Sequence, residues 1–178
     1  MNFTFEFLGR SPGERELLPL FELLYRNSLE IAPTSSYSDE REEWFSAILP
    51  AMQDKRRHIA IAKCKDFPVG FLQYSTADGH LFIEELQLDR TARKTTLILK
   101  LISLMLSNIP DGIHTLEAYA HRQNKASIEL ILSLGLSEIR RLPEIGAIHY
   151  SGDARSLYGR FMKYRNFSTA LISSDDGQ

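Results

Sequence analysis

The chain has 178 residues, 21 basic and 23 acidic side chains for a net charge of −2, and a hydrophobic fraction of 43%. That length and composition support one domain with a sizeable core and are short for two. The near-neutral balance excludes a global field that would draw the protein to nucleic acid or to a membrane surface.

Asn2 to Leu8 place Phe3, Phe5 and Phe7 on one side, the period of a half-buried first strand. The same segment lacks the basic region and apolar core of a secretory signal, and no apolar run approaches the ~20 residues that span a bilayer. The cytoplasm is therefore the expected location. Ser11-Pro12-Gly13 turns the chain, and Glu14 to about Ser28 carries Leu17, Leu20, Phe21, Leu24 and Tyr25 at helical spacing, with Pro19 placed to kink or delay the helix. Ile31 to Ser38 is a loop by its Pro33, Thr34, Ser35 and Ser36, either one wall of an acceptor site or a plain surface connection. Ser38, followed by Asp39 and Glu40, reads as the N-cap of a second helix through Trp44, Phe45, Ile48 and Met52. The basic cluster Lys55-Arg56-Arg57-His58 has no interleaved aromatics. It reads as a helix terminus set against the dipole rather than as a nucleic-acid site.

Ile59 to Lys63 and Val69 to Tyr74, split by Lys65-Asp66-Phe67-Pro68, form a predicted hairpin. The turn Thr76-Ala77-Asp78-Gly79 then adds a third antiparallel strand. The single cysteine, Cys64, excludes an internal disulfide and a multi-cysteine zinc site, and reads as a small buried side chain. The run from His80 to Ile109 changes period midway. Leu81 to Leu88 is a buried strand, whereas from Thr95 onward Leu97, Leu101, Leu104, Met105 and Leu106 keep helical steps. Between them Asp89 to Lys94 make a short polar connection. A strand feeding straight into a helix leaves unpaired N–H groups with partial positive charge, a natural seat for phosphate, to which Arg93 and Lys94 add full charges.

Pro110-Asp111-Gly112 stops that helix, and Ile113 to Ala120 supply a strand expected to lie parallel to the central one by the crossover rule. Gln123 to Leu134 is a second amphipathic helix closed by Gly135. Ser137 to Tyr150, broken by Pro143 and Gly146, reads as irregular strand, and Leu157 to Tyr164 as a last strand. The polar tail from Ser168 is expected to be disordered, leaving residues 1–167 as the single domain.

This order of elements resembles the GNAT superfamily of acyl-CoA-dependent N-acyltransferases. The most specific likeness is Asn124-Lys-Ala-Ser127-Ile-Glu-Leu130-Ile-Leu-Ser-Leu134-Gly135-Leu136, similar to the family's Asn-x-x-Ser helix and Leu-Gly-Phe ending in the branch acting on protein N-termini and similar amines, with Leu136 replacing Phe. The resemblance implies that Asn124 and Ser127 touch the pantetheine or phosphate end of acetyl-CoA; as residues alone they read equally as helix caps. The family's cofactor loop, Gln/Arg-x-x-Gly-x-Gly/Ala, falls on Arg93-Lys94-Thr95-Thr96-Leu97-Ile98. Arg93 fits, while Thr96 and Ile98 fill the small positions, a degenerate version in which side chains crowd the phosphate unless the loop changes shape.

The resemblance further implies a mixed α/β fold: one twisted, mostly antiparallel sheet flanked by about four helices and splayed at a parallel strand pair. The pantetheine arm would pair there with the main chain of Leu86, Gln87 and Leu88. A tyrosine that many members carry as acid toward the thiolate falls on Ile131, and the Asn-x-x-Ser branch commonly lacks it too. Amine attack on a thioester needs a base. Glu84 and Glu85 are the first candidates, because consecutive strand residues point to opposite faces and one should face the cleft. His121 has a suitable chemistry, with Glu117 and Tyr119 as secondary candidates. The expected activity is acetyl transfer from acetyl-CoA, without metal, to a primary amine on a protein N-terminus or a small molecule. The alternative is a GNAT-fold binding or regulatory module without catalysis. No nucleic-acid or membrane partner is expected, and a homodimer is left open.

Overall fold

A computed structural model of the chain describes residues 2–31, 36–93, 96–159 and 161. Its elements are β1 (Thr4–Phe7), α1 (Glu14–Ser28), α2 (Tyr37–Ala51), β2 (Arg57–Cys64), β3 (Phe67–Ala77), β4 (His80–Leu88), α3 (Leu97–Asn108), β5 (Thr115–His121), α4 (Lys125–Ser133), β6 (Ser137–Leu142), a 3-10 turn (Pro143–Ile145) and β7 (Ala147–Asp153). Residues 154–159 are helical. The strands form one sheet in the order β1-β2-β3-β4-β5-β7-β6. Its neighbours are antiparallel except β4 and β5, which are parallel. This is the mixed α/β architecture expected from the sequence.

The β2-β3-β4 meander is set by its turns. Lys65 and Asp66 have φ of 50° and 69°, Asp78 and Gly79 of 50° and 82°. Two successive left-handed residues give the tight turn whose twist matches the flanking strands. Alternation then sorts the strands into two cores. Ile59, Ile61 and Phe71 point to one face, where they pack with Leu17, Leu20, Phe21 and Leu23 of α1 and Phe45 and Ile48 of α2. Ala60, Ala62, Leu72 and Tyr74 point to the other, under Leu97, Leu101, Ile102 and Met105 of α3 and Ile131 of α4.

Gly70 fixes how closely the end of β4 and the start of α3 approach β3. A Cβ there would lie 2.6 Å from Leu88 Cδ2, 3.1 Å from Leu97 Cδ2 and 3.1 Å from the Gln87 carbonyl oxygen.

Several expectations need correction. The cap of α2 is Ser36, whose side chain accepts from the Asp39 N–H, so Ser38 lies inside the first turn. Pro19 does not delay α1, which begins at Glu14. The cluster Lys55 to His58 is no helix end: Arg57 and His58 open β2, although Arg57 Nη1 does donate to the Ala51 carbonyl at the end of α2 (3.2 Å). Cys64 is half-buried rather than buried. The segment Ser137 to Tyr150 is a hairpin of β6 and β7 whose one irregularity is a register shift between Glu138 and Arg140; Pro143 and Gly146 do not break a strand but fall in the 3-10 turn and its left-handed cap, φ 64°. The predicted last strand at Leu157 is helical instead, since Ala154, Leu157 and Phe161 bury themselves at steps of three and four. Residues 162–178, including the polar tail, lie outside the described residues. Among those described, no helix is long and apolar enough to cross a membrane.

Gly70→Ala should lower the unfolding free energy by about 1–2 kcal/mol, because Leu88 can shift but the Gln87 carbonyl cannot without moving β4. Urea denaturation checks this; an unchanged midpoint would mean that the end of β4 does not press on β3.

Candidate active site

The parallel ladder between β4 and β5 is short. It pairs His80 to Ile83 with Thr115 to Ala118 and stops there, although β4 continues to Leu88 and β5 to His121. Beyond Ile83 and Ala118 the strands part. A cleft of about 330 Å³ opens between them, lined on one side by Glu84, Glu85, Leu86 and Gln87 and on the other by Tyr119, Ala120 and His121. Leu24, Ser28 and Ile31 wall it on the α1 side, and Asn124, Ser127, Leu130 and Ile131 at α4. The opening thus passes through the sheet, from the layer of α1 to that of α4.

Main-chain groups face this opening. Asp89 N–H donates to the Val69 carbonyl (2.8 Å), so by antiparallel alternation Gln87 and Glu85 also bond toward β3. Leu86 and Leu88 then direct N–H and C=O toward the cleft edge. The Leu88 carbonyl is taken up by Asn27 Nδ2 (3.1 Å) and Arg93 Nε (3.3 Å). Leu86, half-buried at the middle of the divergence, lies past the last paired position of that edge, Ile83, as does Leu88, whose carbonyl is instead met by side chains.

Glu84 and Glu85 do not alternate. The register passes from Tyr74↔Ile83 to Gln73↔Glu85, leaving Glu84 as the extra residue of a β-bulge. A bulge places two consecutive residues against one partner. Both carboxyls therefore turn to the α1 face, and the expectation of opposite faces fails. Their surroundings differ. Glu84 receives Arg57 Nε and Nη2 (each 2.7 Å at the closer oxygen), Gln73 Nε2 (2.7 Å) and Ser75 Oγ (2.6 Å). Burial opposes its charge, but these bonds outweigh it and hold its pKa below the ordinary 4.5. Among the described residues the Glu85 carboxyl accepts one side-chain hydrogen bond, from Gln87 Nε2 (3.0 Å). Burial pushes its pKa above 4.5, with the Gln87 bond opposing and the charge of Glu84 adding to the rise.

The other sequence candidates fall into two groups. In the polar connection, Arg93 is turned toward α1. Its Nη1 donates to Glu30 (2.6 Å) and its Nη2 to Asn27 Oδ1 (2.7 Å). Asp89 folds the same connection by accepting from Thr91 N–H and Oγ1. Thr96 is exposed at the start of α3 and makes no side-chain cap; Ile98 packs against the core. Lys94 and Thr95 lie outside the described residues. At the far wall, Asn124 caps α4 by accepting the Ser127 N–H (3.1 Å), so capping is shown for Asn124, while both residues also line the cleft. His121 lines it too, with its ring against Gly146, where a Cβ would lie 2.8 Å from Nε2.

Glu84, Glu85, Leu86, Gln87, His121, Asn124 and Ser127 are thus brought to one cleft, while Leu88, Arg93 and Thr96 are not among its lining residues. Of the secondary candidates, Tyr119 lines it and stacks on His149 at 4.5 Å between centroids. Glu117 is held between His80 Nδ1 (2.6 Å) and His149 Nε2 (2.8 Å). Arg57, Gln73 and Asn27 were not legible as site residues. Arg57 reads from the sequence as part of a basic cluster, and Asn27 and Gln73 are not singled out there. The recoverable signal was Asn27 itself, on the apolar side of α1 beside Leu20 and Leu23, now 7% exposed. Among the described residues no group of three or more His, Cys, Asp or Glu is placed to hold a metal ion.

Solved acetyltransferases share this architecture. The PaiA N-acetyltransferase from Thermoplasma acidophilum, solved in complex with coenzyme A, matches with a TM-score of 0.64 at 16% identity, over 84% of this chain and 99% of that one. An acetyltransferase from Thermus thermophilus gives 0.64 at 14% identity, over 84% and 97%. YncA from Salmonella typhimurium, solved with its cofactor acetyl-CoA, gives 0.60 at 18% identity, over 86% and 94%. No protein-family model and no curated protein sequence matches the chain. At these identities the likeness establishes the GNAT-like fold.

The Glu84 cluster makes a stability prediction. A folded pKa below the ordinary value contributes stability that is present above pH 4.5 and lost as pH falls through the lower folded pKa. Glu84→Gln should therefore flatten the acid limb of the stability curve. Arg57→Met, which strands the carboxylate, should cost about 2 kcal/mol at pH 7. Equal acid limbs in wild type and Glu84→Gln would show that this pair carries no linkage.

Proposed function

We propose that the chain is an acyl-CoA-dependent N-acyltransferase passing an acetyl group from acetyl-CoA to a primary amine, on a protein N-terminus or a small molecule. The observation that carries this reading is the coincidence of the β4/β5 divergence with a half-buried carboxyl, Glu85, on its wall. We take residues 1–167 as the working domain and the Asn-x-x-Ser branch as the closer kinship.

The cofactor fits one part of the site without change. A pantetheine arm carries amides, and the Leu86 N–H and C=O on the cleft edge are the groups with which such an arm would pair. Gln87 and Leu88 shape the same edge. Asn124 and Ser127 would border the far end, where the start of α4 favours negative charge. The diphosphate would be held by Arg93 once it releases Glu30 and Asn27, with Thr96 as a further candidate; Lys94 and Thr95, the other candidates from the sequence, lie outside the described residues. When bound, acetyl-CoA supplies an activated thioester carbonyl.

The chain's own residues do the rest. Glu85 is assigned as base for the ammonium proton of the acceptor, since its carboxyl keeps a single donor and its basicity is raised by burial. Glu84 is excluded from that role by its four donors and becomes a structural anion for Arg57. His121, on the opposite wall, accepts the Gln123 N–H at Nδ1 (3.3 Å), so its neutral ring carries the proton on Nε2 and would act there as a proton donor rather than as a base. Leu24, Ile31, Ile83 and Leu130 give the cleft apolar walls.

The second reading, a binding or regulatory module, is favoured by one feature, the engagement of Arg93 with Glu30 and Asn27. Titration calorimetry with acetyl-CoA and longer acyl-CoAs, followed by thiol release over a panel of N-terminal peptides and small amines, separates the two. The transferase reading expects micromolar binding, and a fall of about 10²–10⁴ in kcat/KM for Glu85→Gln with acetyl-CoA binding retained. Indifference to every CoA species supports the module.

Glu85→Gln should also raise stability at pH 7. An acid whose folded pKa is raised costs stability as pH climbs from 4.5 through the folded value, and the amide removes that cost. Thermal melts that drop in the variant would contradict the assignment of Glu85 as a desolvated carboxyl.

A further inference from the structure

A chain of four side chains joins the polar connection before α3 to the cleft. Arg93 Nη2 donates to Asn27 Oδ1 (2.7 Å), Asn27 Nδ2 to Gln87 Oε1 (2.8 Å), and Gln87 Nε2 to Glu85 Oε2 (3.0 Å). Its direction is not arbitrary. A guanidinium only donates, so the Asn27 oxygen must face Arg93, and an ionised carboxylate only accepts, so the Gln87 nitrogen must face Glu85. Both amides are therefore polarised in one sense, from cation to anion, and each bond strengthens the next.

The middle of the chain is fixed in place. Asn27 is 7% exposed, and the second hydrogen of its Nδ2 goes to the Leu88 carbonyl (3.1 Å). Gln87 is held at Oε1 by Asn27 and at Nε2 by Glu85. Glu30 on Arg93 Nη1 (2.6 Å) holds the cationic end from outside the cleft.

Resting on the transferase reading, we propose that Asn27 and Gln87 are positioning residues that couple Arg93 to Glu85, so that a diphosphate engaging Arg93 withdraws the positive end of the chain from the cleft carboxylate. Cofactor arrival then makes Glu85 a stronger base, and the acceptor is deprotonated only when the acyl donor is in place. Apart from this chain, Glu85 is neighboured by Glu84 with its partner Arg57, by Tyr119 and His121 across the cleft, by Ser28 on α1, and by the neutral Asn124 and Ser127 at α4. Arg93 and the Arg57 paired to Glu84 are the cations that the described contacts link to this carboxyl pair.

The test titrates the ¹³C-labelled full chain by carboxyl NMR, with and without coenzyme A, the Glu85 signal being assigned by its loss in Glu85→Gln. Calorimetry under the same conditions reads binding itself. In the wild type the Glu85 midpoint should rise by roughly 0.5 pH or more on saturation. In Gln87→Met, compared at saturating coenzyme A, it should already lie higher without ligand and rise by less than about a third as much. The variant also removes the direct effect of the ligand's charge from the comparison, because that effect is common to both proteins. Coenzyme A that binds without moving the midpoint, or that moves it equally in Gln87→Met, overturns the coupling and leaves the transferase reading standing. Failure of coenzyme A to bind overturns that reading and the coupling with it. Should Gln87→Met not fold, the wild-type Asn27 and Gln87 side-chain amide protons decide: both should shift on saturation, and stationary signals overturn the proposal.

Discussion

The site depends on a ladder that ends early. β4 and β5 share four paired positions and then separate, while each keeps its antiparallel partner on the outer side, β3 for one and β7 for the other. The bulge at Glu84 sits where the separation begins. An inserted residue bends and twists its strand, and because β4 stays bonded to β3 its far end follows the meander away from β5. A sheet opened in this way would expose unpaired backbone. Here α1 and α4 close over the two faces of the gap, which turns an edge into a cleft.

Charge is distributed around that cleft so that, among the described residues, one carboxyl has no cation in direct contact. Arg57 neutralises Glu84, binds the end of α2, and so ties two elements to the bulge. Glu117 is held by two imidazoles across the base of the parallel pair, bridging β4, β5 and β7. Arg93 and Arg90 meet Glu30 at the end of α1. Glu85 alone of the cleft carboxyls reaches a cation only through two amides. A group in that position costs stability when ionised and gains basicity, the combination expected where chemistry rather than packing sets the residue.

The sequence made the architecture legible because its signals were local. Asp78-Gly79 marked a turn that the φ values bear out, the change of period after Leu88 marked a strand and then a helix, and Gly135 stood where α4 ends, with φ 92°. The parallel pairing followed from the crossover. The misses were of two kinds. Leu157 and Phe161 fit a helix once Ala154 is included, so a short apolar run was assigned the wrong period. The bulge could not be read at all, because nothing in Glu84-Glu85 distinguishes a regular pair from an inserted residue; with it went the facing of the two carboxyls. Contacts between distant residues, Asn27 to Gln87 and Arg57 to Glu84, were likewise invisible, and they decide which carboxyl is free to act.

The central claim is that the gap beside Leu86 is a groove for an acyl-CoA and not a flaw in the sheet. Residue-resolved amide hydrogen exchange at Leu86, with and without saturating coenzyme A, reads it directly. The account predicts rapid exchange in the free protein and protection on adding coenzyme A, with the paired amides of Leu81 to Ile83 unchanged. Strong protection before any ligand is added, or exchange at Leu86 indifferent to coenzyme A, would contradict it.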